Sequence, residues 1–220
     1  MQSHVDHPGL VSDKVEARAY QLQAVDDAMA GSTLLILPTA AGKTAVAWMS
    51  IVERMEQSMG WALVIAPTVA LSNQHLENAL PVLSKTDEWN PIVLSGQQTA
   101  SKRPDLWNGS KLVFATPQVV RNDVANGVLS LEECCLLVVD EAHHCTGEHA
   151  MAEVAEMYLS QSKNPLILAT TASPGSRKEQ VHEICRRLEI QKIHLRTRED
   201  PMLAEFLAEL EVEEMEVVVP

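Results

Sequence analysis

The chain has 220 residues, of which 46% are hydrophobic and 21% charged, enough for one globular domain with a buried core. Its formal net charge of −13 argues against a nonspecific nucleic-acid-binding protein, but eight acidic and no basic residues fall between Glu199 and Pro220, which leaves about −5 for the remainder. No apolar run approaches the ~20 residues of a membrane span, the amino terminus lacks a signal-peptide core, and four cysteines do not make a disulfide framework. We therefore expect a cytoplasmic protein, nucleoid-associated if prokaryotic, with no membrane partner.

The composition divides the chain into three predicted parts: a flexible leader over residues 1–14, an α/β domain over residues 15–198 and an acidic connector over residues 199–220. The domain opens with a helical pattern over residues 17–29, which Gly31 and Ser32 end. Gln21 lies near the start of this helix, and its amide offers the donor and the acceptor that would read an adenine edge. Taken alone, Gln21 is more simply interpreted as an ordinary residue of a surface helix.

An apolar strand, a loop of small residues and a Gly-Lys-Thr sequence follow one another in residues 34–44. Such a loop directs backbone N–H groups and a helix N-terminus at phosphates. The pattern predicts that Lys43 reaches the β- and γ-phosphates and that the Thr44 hydroxyl binds Mg²⁺. The match is incomplete, because Leu37 stands where the general pattern has glycine and Ala40 stands where the Pro-Thr-Gly-x-Gly-Lys-Thr variant has it. We expect the Ala40 methyl group to restrict the loop and weaken nucleotide binding.

Six further strands are predicted from apolar runs, with helical patterns between most of them, at residues 62–66, 92–94, 112–115, 136–139, 166–169 and 193–195. Continuous apolar strands that alternate with helices predict an α/β fold with a mostly parallel sheet and helices on both faces. Ligands of such sheets bind outside the carboxyl ends of the strands. Polar clusters follow nearly every predicted strand, so the fold is expected to gather separate motifs at one edge.

Asp140 and Glu141 directly follow four apolar residues. An aspartate at the tip of a buried strand can hold Mg²⁺, usually through water, and a neighbouring glutamate can orient or deprotonate an attacking water. The alternative is a solvated helix start, but the Gly-Lys-Thr loop upstream favours the functional interpretation. We therefore predict that Lys43 and Asp140 face the same magnesium-bound triphosphate.

The ordered motifs resemble the first RecA-like lobe of superfamily 2 helicases of the DEAH type. They occupy residues 20–21, 38–44, 66–68, 95–96, 115–118, 140–143 and 171–173. Residues 130–132, 163–166 and 171–176 are similar to archaeal Hef and to its eukaryotic relatives, the Fanconi-anaemia M and Mph translocases. The resemblance implies a RecA-like P-loop NTPase domain that uses ATP and Mg²⁺ and acts on nucleic acid.

The resemblance also implies roles for individual residues. The nucleotide would be bound by Gln21, Thr39, Ala40, Ala41, Gly42, Lys43 and Thr44. Catalysis would depend on Lys43, Asp140 and Glu141, and Mg²⁺ would be held by Thr44 and Asp140. The phosphates of one nucleic-acid strand would be contacted, without regard to sequence, by Thr68, Gly96 and Thr116. The nucleotide state would be coupled to movement by His143, Thr171 and Ser173.

Relatives of this type hydrolyse ATP between two lobes, and the second lobe supplies arginine fingers from a Gln-x-x-Gly-Arg-x-Gly-Arg segment. No such segment occurs here, and an arginine finger is worth ~10³–10⁵ in rate. We therefore expect one lobe of a longer protein, weakly active or inactive alone, that acts on branched or forked DNA. Two alternatives stay open: a lobe of an RNA-directed superfamily 2 helicase, and a non-catalytic binding module, which Ala40 in the phosphate loop favours.

Overall fold

The computed structural model describes residues 4–173 and 178–204. Seven strands form one sheet in the order β3-β4-β2-β5-β6-β1-β7, and every neighbouring pair is parallel. The strands are β1 (Thr33–Ile36), β2 (Trp61–Ile65), β3 (Ile92–Leu94), β4 (Leu112–Ala115), β5 (Cys134–Asp140), β6 (Ile167–Thr171) and β7 (Lys192–Leu195). All seven predicted strands are present, with ends within two residues of the predicted ones.

Helices lie between the strands and cover both faces of the sheet. They are α1 (Ala19–Ala30), α2 (Lys43–Gln57), α3 (Val69–Ala79), α4 (Thr86–Trp89), α5 (Arg103–Asn108), α6 (Pro117–Ala125), α7 (Ala150–Gln161), α8 (Lys178–Arg187) and α9 (Pro201–Ala204). Short 3₁₀ segments span Ala100–Lys102 and Ala142–His144. In the portion of the chain that the structure describes, none of these helices has the length and apolar character that crossing a bilayer requires.

Alternate residues of the central strands enter two separate cores. Leu35, Val64 and Val138 pack in a core on one face, with side chains of α1 and α2. The residues beside them in the sequence, Leu34, Leu63 and Leu137, pack in a second core with side chains of α6 and α7. Because both faces are buried, the strands are apolar at every position rather than at alternate ones. This explains why they were recognisable as continuous apolar runs.

The strand order places β6 between the phosphate-loop strand β1 and the acidic strand β5. In the register, Ile36 at the end of β1 is paired with Thr171, and Asp140 at the end of β5 is paired with Thr170. Since neighbouring strands lie about 4.8 Å apart, the ends of β1 and β5 are separated by about 10 Å. A single nucleotide with its metal ion can bridge that distance.

Residues 4–14 are packed against the domain, which differs from the flexible leader expected over residues 1–14. The Val5 amide donates to the Val15 carbonyl at 2.8 Å, and Leu10 forms a bridge with Leu83 and is 5% exposed. One buried leucine in a polar segment has no periodicity, so the sequence does not reveal these contacts. Residues 1–3, 174–177 and 205–220, and with them most of the expected acidic connector, lie outside the described residues.

Candidate nucleotide-binding site

The loop between β1 and α2 has the backbone shape of a phosphate-binding turn. Gly42 precedes α2 with a φ of 82°, and Ala40 has a φ of 66°, so both adopt the left-handed conformation. The Lys43 ammonium folds back over the loop and donates to the carbonyls of Leu37 at 3.1 Å and Pro38 at 3.4 Å. Those two bonds hold the amine at the N-terminus of α2, where the helix dipole favours anions.

Two side chains of α1, Tyr20 and Gln21, form hydrogen bonds with this loop. The Tyr20 hydroxyl donates to the Ala41 carbonyl at 2.9 Å, and the Gln21 amide donates to the same carbonyl at 3.3 Å. Gln21 is only 3% exposed, and a Cβ atom added to Gly42 would overlap its Nε2 atom. The side chain expected to read adenine is therefore in contact with the phosphate loop.

A cleft of about 400 Å³ opens at the carboxyl edge of the sheet, between α2 and α3. Its polar lining consists chiefly of Thr39, Gly42, Lys43, Thr44, Asp140, Glu141 and Thr170. Its apolar floor consists of Trp48, Ile51, Val64, Leu71, Phe114 and Val138. Ala40 also lines the cleft, whereas Gln21 and Ala41 are not among the described residues around it. The predicted ammonium and carboxylate thus face the same space.

The charges of the cleft interact across it. Burial lowers the pKa of Lys43 from its ordinary value, and the opposing effect of Glu141 and Asp140 does not fully compensate. Burial by itself would raise the pKa of Asp140, but hydrogen bonds from His75 and Thr170 outweigh it and keep that pKa below the ordinary value. An ionised Asp140 carboxylate therefore faces the Lys43 amine across the cleft.

Two partners of Asp140 were missed in the sequence. His75 Nε2 lies 2.7 Å from Asp140 Oδ2, and the Thr170 hydroxyl donates to Oδ1 at 2.7 Å. Thr170 immediately precedes the predicted motif at residues 171–173, which is the only signal that could have indicated it. His75 follows Gln74 on α3, and its contact with Asp140 could be predicted only by someone who already knew the order of the strands.

The predicted coupling residues form a chain of contacts. His143 Nδ1 lies 3.2 Å from Glu141 Oε2 and 3.2 Å from Thr171 Oγ1. The Thr171 hydroxyl donates to the Ser173 carbonyl at 2.9 Å and accepts from the Ser173 amide at 3.2 Å. Glu141 has a φ of 54°, a strained conformation of a kind that concentrates at functional sites. The end of β5 is therefore linked to the end of β6.

The three residues expected to contact nucleic acid follow β2, β3 and β4, which are neighbours in the order β3-β4-β2. Thr68 is exposed and caps α3, since its hydroxyl accepts from the Leu71 amide at 3.2 Å. Gly96 is exposed in the loop after β3. Thr116 is only 7% exposed, and its amide donates to the Leu94 carbonyl. Two of the three therefore present accessible atoms at this edge.

The donor set of the cleft fits Mg²⁺. A threonine hydroxyl and a carboxylate are hard oxygen ligands, and Thr44 and Asp140 both line the cleft. The Asp140 carboxylate accepts hydrogen bonds from His75, from Thr170 and from the backbone of Glu141, and the rest of its acceptor capacity remains for a metal ion. Loop amides and Lys43 are suited to the accompanying phosphates.

Sequence comparison agrees with this geometry. A sequence model of the DEAD/DEAH box helicases matches residues 18–183. The chain belongs to the DEAD/DEAH box helicase family. Its all-parallel sheet is that of the first RecA-like lobe of superfamily 2 helicases, as the resemblance implied.

Three similar proteins illustrate the relationship. This helicase lobe is 36% identical to "Putative ATP-dependent RNA helicase MJ1505" of Methanocaldococcus jannaschii, over 98% of the chain and 27% of the relative. It is 32% identical to "ATP-dependent DNA helicase MPH1" of Saccharomyces cerevisiae, over 92% of the chain and 20% of the relative. The crystal structure of the Pyrococcus furiosus Hef helicase domain superposes with a TM-score of 0.82 and 35% identity, over 86% of this chain and 40% of that one. The lobe thus spans 27% and 20% of the M. jannaschii and S. cerevisiae relatives and 40% of the Hef helicase domain.

Proposed function

We propose that this helicase lobe binds ATP and Mg²⁺ as one half of a nucleic-acid-dependent ATPase, a helicase or translocase. The observation that carries the proposal is that Lys43 and Thr44, at the start of α2, line the same cleft as Asp140 and Glu141, at the end of β5. The parallel sheet brings phosphate-binding and acidic groups from separate strands to one edge, where a ligand that needs both can bind. A magnesium-bound triphosphate is such a ligand.

Each group has a distinct task in this proposal. Lys43 exchanges its bonds to the Leu37 and Pro38 carbonyls for bonds to phosphate oxygens, with the loop amides beside it. Thr44 and Asp140 would hold the metal ion, which when bound neutralises charge on the β- and γ-phosphates. Glu141 accepts a proton from, or orients, the attacking water.

In this proposal His143 couples the hydrolysis step at Glu141 to movement. It contacts both Glu141 and Thr171, so a change in the hydrogen bonding of Glu141 reaches the end of β6. Thr171 and Ser173 would pass the change to a second lobe. Without the arginine fingers of that lobe, the chain alone is weakly active or inactive, since such a finger is worth ~10³–10⁵ in rate.

Branched or forked DNA is the proposed substrate of the whole protein. DNA is favoured because the S. cerevisiae relative MPH1 is named a DNA helicase, and the branched or forked form follows from the resemblance to the Hef and Mph translocases. Thr68 and Gly96 are exposed and follow β2 and β3, the strands on either side of β4, and they would contact phosphates rather than bases. An RNA substrate is the second candidate, because the M. jannaschii relative is named an RNA helicase.

A non-catalytic binding module is the third candidate, and the observation in its favour is Ala40. Its φ of 66° is a left-handed conformation that a residue with a Cβ atom adopts at a cost of about 1–2 kcal/mol. A phosphate loop under such strain is expected to bind nucleotide less tightly than one with glycine.

Nucleotide titration of the chain separates these functions. We expect ATP to bind in the presence of Mg²⁺, and Lys43→Ala to weaken binding at least tenfold without lowering thermal stability. Binding that does not depend on Lys43 would contradict the ATPase proposal and favour the third candidate. The full-length protein, assayed with forked DNA and with duplex RNA of the same length, then distinguishes the two substrates by which one stimulates hydrolysis.

A further inference from the structure

We propose that His75 is a positioning residue for the magnesium site: it holds the carboxylate of Asp140 in the orientation that binds the metal ion. The inference rests on the proposed function, because it takes Asp140 as the magnesium ligand. His75 lies on α3, outside the phosphate loop and outside the motif at residues 140–143.

The geometry carries the proposal. Nε2 of His75 lies 2.7 Å from Oδ2 of Asp140, and the two side chains are 19% and 16% exposed. A carboxylate oxygen accepts hydrogen bonds, so in this contact Nε2 of His75 carries the proton and donates it to Oδ2. A short, largely buried, charge-assisted hydrogen bond of this kind restricts rotation of the carboxylate.

His75 and Thr170 hold the carboxylate from two sides. His75 donates to Oδ2 from α3, and Thr170 donates to Oδ1 from the neighbouring strand β6. With both oxygens fixed, the remaining acceptor positions point in defined directions. Partners of this kind, beyond the metal ligands themselves, typically contribute 10–100-fold to metal affinity.

The imidazole is itself fixed by packing. Its ring stacks on Phe114 of β4, with ring centroids 6.4 Å apart and an interplanar angle of 9°. α3 begins after Thr68, whose exposed hydroxyl caps it, and His75 lies seven residues, or about 10 Å, further along the helix. The residue that orients Asp140 is therefore on the same rigid helix as the proposed phosphate contact at Thr68.

The test measures how much Mg²⁺ is needed to bind mant-ADP, a fluorescent ADP analogue, to the chain after treatment with EDTA. Trp48 lines the cleft and is a natural energy donor to the mant group. His75→Met and His75→Gln form a matched pair, because the two side chains have similar length and volume and only Gln carries an N–H donor. His75→Phe is a second donor-free variant that keeps a ring beside Phe114. Asn73→Ala, at an exposed position of α3 that does not line the cleft, is the control.

We expect His75→Met and His75→Phe to raise the Mg²⁺ concentration at half-saturation about tenfold. His75→Gln and Asn73→Ala should stay within about twofold of wild type, and binding measured without Mg²⁺ should be the same in all folded variants. Equal Mg²⁺ requirements in wild type and in every folded donor-free variant would overturn the role of His75 and leave the proposed function intact. If the wild-type chain binds mant-ADP with no Mg²⁺ dependence, the proposed function fails and this inference fails with it.

Discussion

Arg103, the first residue of α5, and Asp123 of α6 form a buried ion pair. Nε of Arg103 lies 2.8 Å from Oδ2 of Asp123, whose side chain is 1% exposed. Trp107 donates to the same oxygen at 2.8 Å, and the Arg103 guanidinium also donates to the Gln98 carbonyl at 3.0 Å. The pair therefore joins the loop after β3, which contains Gly96, to α6, which begins after Thr116.

We expect Arg103→Ala to destabilise the fold by about 3–5 kcal/mol, because it leaves the Asp123 carboxylate buried without its cation. The free energy of unfolding, from urea denaturation, measures the loss. Lys102→Ala, an exposed neighbour, is the control and should change that free energy by less than about 0.5 kcal/mol. A loss below about 1 kcal/mol in Arg103→Ala would show that water reaches Asp123.

Ala40→Gly should stabilise the lobe by about 1 kcal/mol, because glycine adopts a φ of 66° without the Cβ clash that alanine incurs. The same substitution should tighten ATP binding. Ala45→Gly is the matched control, since Ala45 lies within α2 and glycine there should cost about 0.5–1 kcal/mol. Thermal unfolding and nucleotide titration check both effects, and equal destabilisation by the two substitutions would rule out strain at Ala40.

Gly42→Ala is expected to destabilise the lobe by about 1–3 kcal/mol for two reasons. The backbone of residue 42 has a φ of 82°, which strains any residue with a Cβ atom, and the new methyl group would overlap the Gln21 amide. Removing that amide relieves the overlap but not the backbone strain. The double variant Gln21→Ala/Gly42→Ala should therefore be more stable than the sum of the two single effects predicts. Unfolding free energies of the four proteins form the cycle; strict additivity would show that Gln21 does not contact the loop.

Stability at acid pH should depend on Asp27. The hydrogen bond with His194, 2.9 Å away, and a second with Lys192 lower the pKa of this carboxyl below its ordinary 3.8, against the opposing effect of burial. A lowered folded-state pKa stabilises the fold above the unfolded-state pKa, and the stabilisation is lost as the pH falls through the lower, folded-state value. We expect Asp27→Asn to melt below wild type at pH 6 and to approach it below about pH 3.8.

A series of melting temperatures from pH 6 to pH 2.5 tests this expectation. Asp26→Asn, at the adjacent position of α1, controls for the loss of one negative charge. A gap between wild type and Asp27→Asn that is constant across the series would contradict a contribution from ionised Asp27.

Local patterns were sufficient to predict the seven strands, the phosphate loop and the acidic motif. Each depends on neighbours in the sequence: buried parallel strands are continuous apolar runs, and Gly-Lys-Thr after such a run is itself a strand-loop-helix junction. The rule that ligands bind at carboxyl ends then predicted that Lys43 and Asp140 face one space, and the cleft has both.

Only the tertiary structure determines the order of the strands. The contacts between residues distant in the sequence depend on that order. No periodicity indicates that β6 lies between β1 and β5, so the pairing of Asp140 with Thr170 and its bond to His75 could not be derived. The same holds for the packing of Leu10 near Leu83 and for Gln21 beneath the phosphate loop. Periodicity records which face of an element is buried, whereas the partner on that face depends on how all the elements pack together.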